Sequence, residues 1–259
     1  MNEPARAAVK LAAFLLPAFL LAGTLHLWGP DLRGLVVRIT EGGPRTIERT
    51  TFTLKAPNRA WARDLTDWTE KAIADLVDRG KPLGFRPSDK SLLIVVVDLP
   101  VGENFNEQEN SITLNVKNYP EPRKAYGPLS NLLTKALLFH SGPPTAAWSP
   151  WLEEGLATYF QTTDKVVGSR KDDLMRQAAE RLESLTLQRV LQDSDPRGHG
   201  LSGASHSLIA FLELNDAKFQ QYFDEERRPG AIATGAFERI FGPDLEREWK
   251  ESLKPFQKH

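Results

Sequence analysis

The stretch from Tyr126 to Gln161, YGPLSNLLTKALLFHSGPPTAAWSPWLEEGLATYFQ, constrains the fold more than any other part of the chain. Leu129, Leu132, Leu133, Ala136, Leu137 and His140 recur at helical spacing and define one face of an α-helix. Asn131 and Lys135, four residues apart, share roughly the opposite side, flanked by Leu138 and Phe139. This helix is apolar almost all round with a polar notch, and belongs in an interior. Beyond a Gly/Pro-rich connection a second helix is predicted to start at Ser149, a good N-cap. Pro150 suits its first position, and Glu153 and Glu154 fall in its first turn, where the helix dipole favours acids. Leu152, Leu156, Tyr159 and Phe160 supply its apolar face, while Gly155 and Ala157 leave room for another helix to approach closely.

Trp151, Glu154, Gly155 and Ala157 match, position by position, a W-x-x-E-G-x-A helix. In this the run resembles the gluzincin, or peptidase MA-like, metallohydrolases. That family places an H-E-x-x-H helix just before, and the match sets Asn131-Leu132-Leu133-Thr134-Lys135 upon it. The tail, with Ala236-Phe237-Glu238, Phe241-Gly242, Asp244-Leu245 and Trp249, resembles the family too, so the likeness extends over roughly residues 50–253. The resemblance implies an α+β fold: a zincin-like core with a small mixed sheet and a mainly helical C-terminal half. It also implies an edge strand that binds extended substrate, for which Ile112 to Val116 is the candidate.

The chemistry of the family does not carry over. There, two histidines at i and i+4 grip one Zn²⁺, the Glu between them is general base for a metal-bound water, and the second helix brings a third ligand. Here Asn131 stands at the first ligand position, Leu132 at the base and Lys135 at the second ligand position. Leu132 accepts no proton, and the Lys135 ammonium repels a cation. Only Glu154, at the third ligand position, is retained. Zinc is the cofactor the family implies, but its ligands are missing, so no cofactor is expected and these four residues read as a vestigial site. Lys135 is then either a cation that pairs with a buried Glu154 in place of the metal, or a surface residue near two solvated acids, Glu153 and Glu154. A rescued metal site would need His199 and His206 to join Glu154 as a two-histidine, one-carboxylate set. His140 lies about 13 Å along the helix axis from Asn131 and faces the apolar side, which suits a core or capping histidine.

At the N-terminus, Arg6 and Lys10 precede an uncharged run, Leu11 to Pro30. At about 1.5 Å per residue it just spans a hydrocarbon core of roughly 30 Å. The reading is an uncleaved signal-anchor, with residues 11–30 as the transmembrane helix and the globular part on the non-cytoplasmic side, periplasmic or extracellular. The alternative is a cleaved signal peptide and a secreted protein. The expected organisation is 1–30 as anchor, 34–118 as an α/β part, and 119–259 as a helical part carrying the degenerate site. In the α/β part, Leu35 to Thr40 and Thr46 to Lys55 read as the strands of a hairpin, and Asn58 as the cap of a helix ending near Arg79. Ser91 to Asp98 reads as a strand buried on both faces, Pro100 to Asn110 as a loop, and Ser111 to Val116 as a further strand.

Composition closes off other classes. Lys+Arg 33 against Asp+Glu 34 leaves no charge bias that would imply nucleic acid as a partner. The absence of cysteine excludes disulfides, thiolate metal sites and a Cys nucleophile. No nucleophile elbow, P-loop or dinucleotide fingerprint occurs. The expected function is a membrane-anchored, catalytically inactive pseudo-metallopeptidase whose groove holds an extended peptide or an envelope protein, in a binding or regulatory role. Two alternatives stand beside it: an atypical zinc metallohydrolase using Glu154 with His199 and His206, and a purely structural envelope domain.

Overall fold

Alternating apolar residues build a five-stranded mixed sheet in the computed structural model, which describes residues 43–87, 89–99, 102–142, 148–163, 170–214, 216–228 and 233–257. Strands β1 (Arg45–Glu48), β2 (Phe52–Ala56), β3 (Leu92–Val97), β4 (Asn104–Asn106) and β5 (Ser111–Asn115) lie in the order β1-β2-β3-β5-β4. The inner pairs, β2–β3 and β3–β5, are parallel, and each outer strand is antiparallel to its neighbour. The register sets Leu54, Ile94 and Ile112 in one fully buried row. Along β3, Leu92, Ile94 and Val96 are buried while Leu93, Val95 and Val97 are half-buried. The apolar run is thus fully covered on one face only, not on both as expected.

Helices cover that face. Asn58 Oδ1 accepts from the Trp61 amide at 3.0 Å and starts α1 (Arg59–Arg79), which Gly80 ends. Trp61, Leu65, Trp68, Ile73 and Leu76 face the core, as their spacing predicts. Helix α1 packs on β1 and β2, and α2 (Tyr126–Ser141) packs on β4 and β5. Trp68 stacks on Tyr126 at 4.6 Å and ties α1 to the first residue of α2.

Two strand assignments need correction. Thr46–Lys55 is not one strand, because the Arg49 amide donates to the Phe52 carbonyl at 2.8 Å and turns the chain between β1 and β2. Between Ile47 and Phe52 no apolar side chain anchors the ladder to the core, so the alternation there holds nothing in register. The proposed partner strand 35–40 and the segment 1–30 lie outside the described residues. Pro100 to Asn110, in turn, is not all loop, since it contains β4. Asn106 Oδ1 accepts from the amides of Gln108 and Glu109 at 3.0 and 3.3 Å, and Asn110 takes φ 49, so the chain reverses into β5. The edge strand on this side of the sheet, among the described residues, is therefore β4, and β5 (Ser111–Asn115) is interior, paired on both sides.

The C-terminal half is helical: α3 (Pro150–Thr163), α4 (Arg170–Glu180), α5 (Leu187–Gln192), α6 (Ser202–Leu212), α7 (Ala217–Glu226), α8 (Ala233–Phe241) and α9 (Leu245–Leu253). Helix α6 begins at Ser202, directly after the turn at Gly200. Its Gly203 is a contact residue: a Cβ there would meet the Leu174 carbonyl of α4 at 2.7 Å. Trp151, Phe160, Tyr222, Phe237 and Trp249 are fully buried in a core continuous with the one beneath the sheet. The architecture is α+β, with a mixed sheet and a largely helical second half. No helix among the described residues is long and apolar enough to cross a membrane.

Candidate functional site

Polar stripes on otherwise packed helices converge on one cleft. On α3, Glu154, Thr158 and Gln161 follow the i, i+4, i+7 spacing of a single face, and on α4 Asp173, Gln177 and Glu180 do the same. With Asn131 and Leu132 of α2, Ser202 of α6 and Glu103 beside β4, they line a cleft of about 480 Å³. The α3–α6 crossing depends on Gly155, because a Cβ there would sit 2.8 Å from both the Ser205 carbonyl oxygen and Ile209 Cγ1. The close approach expected of Gly155 is thus met by α6.

That crossing brings Ser202 to Glu154, whose Oε1 accepts from the Ser202 hydroxyl at 2.8 Å. Glu154 is buried, and the Lys135 ammonium lies 3.4 Å from its Oε2 and 2.9 Å from Glu153 Oε1. Of the two readings open for Lys135, the paired one describes the structure, with Glu153 as the nearer partner. Burial pulls the Lys135 pKa down, but the carboxylates of Glu153 and Glu154 outweigh it and hold the ammonium above its usual range. One turn before Lys135, Asn131 is buried, and its side-chain oxygen has no hydrogen-bond partner among the described residues.

The two histidines of the rescue reading go elsewhere. His206 is 1% exposed, packs against the Tyr159 ring at 6.1 Å, and has no partner on either ring nitrogen among the described residues. Burial, aided by the charge of Lys171, lowers its pKa to about 4, so the ring is neutral. His199 is exposed, with Nδ1 2.9 Å from Asp193 Oδ1. Among the described residues no group of three His, Asp or Glu side chains is placed to hold a metal ion. The zinc that the resemblance implies also fails on donor chemistry: at the second ligand position an ammonium stands against the retained carboxylate, and Leu132 adds no donor. No catalytic step through zinc follows from these residues.

Two neighbouring features had little or no sequence signal. Glu103, at the entry to β4, accepts from the Tyr119 hydroxyl at 2.5 Å, from Asn118 Nδ2 at 3.1 Å and from the Asn115 amide at 3.2 Å. It fixes the start of the edge strand beside the cleft. At the start of α3 the Ser149 carbonyl accepts from the Leu152 and Glu153 amides at 2.9 and 3.0 Å, while its hydroxyl donates to buried Glu226 at 2.8 Å. Tyr222 donates to the same carboxylate, and burial together with Glu226 holds its phenol well above the usual range. Seventy-seven residues separate Ser149 from Glu226 and 48 separate Glu154 from Ser202, so neither pairing has a local signature. The polar stripe of Glu154, Thr158 and Gln161 on an apolar helix was the signal available. No family model matches the chain, and no curated protein matches its sequence.

Proposed function

We propose that this protein is a membrane-anchored, non-catalytic relative of the peptidase MA-like metallohydrolases. Its cleft holds an extended peptide or a segment of an envelope protein on the non-cytoplasmic side. The observation that carries this reading is Lys135, whose ammonium bridges Glu153 and Glu154 where the resemblance places a zinc ligand. The zincin-like core keeps its two site helices together by an ion pair in place of a metal. Glu103, which precedes β4, lines the cleft; the outer edge of β4 has no partner strand among the described residues and suits an added one, with Asn131 offering an unsatisfied acceptor to a backbone or side-chain donor.

The test uses the full chain in neutral detergent with a fluorescent, unstructured casein fragment. Saturable binding without cleavage, unchanged by EDTA and weakened at least tenfold by Asn131→Leu, is expected. Cleavage that EDTA removes, with one zinc per chain lost in Glu154→Gln, would make the protein a metallohydrolase instead. Binding of no unfolded segment at all would leave a structural domain.

A further inference from the structure

Helix α1 begins against the usual charge rule. The positive end of a helix dipole favours acids, yet the first turn of α1 has none; Arg59 opens it, and Arg63 follows one turn on. Beside them, β1 and the following turn bring Arg45 and Arg49. The four guanidinium side chains line one concavity of about 470 Å³, whose only acid among the described residues is Asp67. Arg49 pairs with Glu70 at 2.5 Å and Arg63 with Asp64 at 2.9 Å, all at least partly exposed. Arg45 and Arg59 have no acid within ion-pair distance among the described residues. Side chains and helix dipole therefore add to the same positive potential. Asp64, Asp67 and Glu70 offset part of this charge, but Arg45 and Arg59 have no acid of their own among the described residues, and an unbalanced pair of this kind suits a ligand from outside the chain.

We propose that this concavity binds a phosphate group. Guanidinium forks match phosphate oxygens two at a time, so Arg45 and Arg59 can each donate a pair of N–H bonds, with Arg49 and Arg63 at the rim. A single carboxylate would leave more of this charge uncompensated. The phosphate belongs either to a free anion or to a lipid headgroup. The second source rests on the membrane-anchored reading: the 14 residues from Asp31 to Pro44 span at most about 50 Å, which keeps a bilayer surface within reach. The site itself shares no lining residue with the peptide cleft and stands without it.

Isothermal titration of the full chain in non-ionic micelles tests this, with inorganic phosphate in one arm and phosphatidylglycerol doped into the micelles in the other. Phosphatidylcholine is the zwitterionic control. Saturable binding of one ligand per chain is expected in at least one arm, falling at least tenfold in Arg45→Ser/Arg59→Ser. The Arg45→Lys/Arg59→Lys pair keeps the charge but loses the forks, and an intermediate loss is expected there. Saturation by inorganic phosphate assigns a free anion, and saturation by phosphatidylglycerol alone assigns a headgroup. Absence of saturation in both arms, or binding that the serine pair retains, would overturn the proposal. Both positions are exposed, so matching thermal melts for parent and variants are expected and separate lost binding from lost folding.

Discussion

The two ends of the same short stretch of α3 handle buried polarity in opposite ways. At its start, Glu226 is a buried carboxylate held by two hydroxyls, those of Ser149 and Tyr222. At the α3–α6 crossing, Glu154 has Ser202 and Lys135, but the Asn131 oxygen, the Ser205 hydroxyl and both His206 nitrogens have no partner among the described residues. An unmet buried donor or acceptor costs about 1–3 kcal/mol, and folded proteins keep few of them. The first region is scaffold that places the helix. The second leaves more groups unmet than the first, where Trp151 Nε1 is one, and of them the Asn131 oxygen lines the cleft, where a ligand can relieve it.

Acid should separate the regions most. His206 titrates near 4 in the folded protein against 6.5 ordinarily, so the fold favours the neutral ring. Its contribution is complete above pH 6.5 and is lost as pH falls through 4, amounting to about 3 kcal/mol. Urea unfolding from pH 7 to 4 should therefore show a shallower decline in His206→Gln than in the parent, and parallel profiles would count against this. Next comes Lys135→Met, which leaves Glu153 and Glu154 without their cation. A loss of about 2–3 kcal/mol is expected, below the range for a fully buried pair because Lys135 and Glu153 keep some solvent contact. Adding Glu154→Gln should recover part of it. The same ion pair weakens in alkali: Lys135 contributes fully below its usual 10.5 and loses that contribution as pH rises through its higher folded value. The smallest effect is Tyr222→Phe, about 1 kcal/mol in a denaturant titration, with casein binding unchanged. A binding defect there would mean that the two regions are not independent.

How far the fold could be read in advance depended on whether the signal was local. Asn58, the Trp61–Leu76 face and Gly80 delimit α1 by short-range physics. The polar notch of Asn131 and Lys135 and the small Gly155 pointed to the site helices, because a buried helix keeps polar or missing side chains only for a reason. What escaped was non-local. The edge position of β4 depends on an Asx turn at Asn106 and on pairing with β5, and three residues carry too short an alternation to announce a strand. Ser202 has no local signature, since nothing within its own neighbourhood reveals a carboxylate 48 residues earlier. Glu153 seemed a solvated first-turn acid, and only the facing helix makes it the nearer partner of Lys135.

The β2–α1–β3 crossover occupies one uninterrupted stretch, Phe52 to Val97, closed where Phe52 pairs with Leu92. In a chain made from its N-terminus, this unit can close while Glu154 and Ser202 are still unmade. Asn131 and Lys135 then dock with α2 through the Trp68–Tyr126 stack, whereas Glu154 and Ser202 find each other inside the later helical half. The cleft exists only once these separately formed units meet. A ligand lying across it would bind only the assembled molecule and so would stabilise the whole fold.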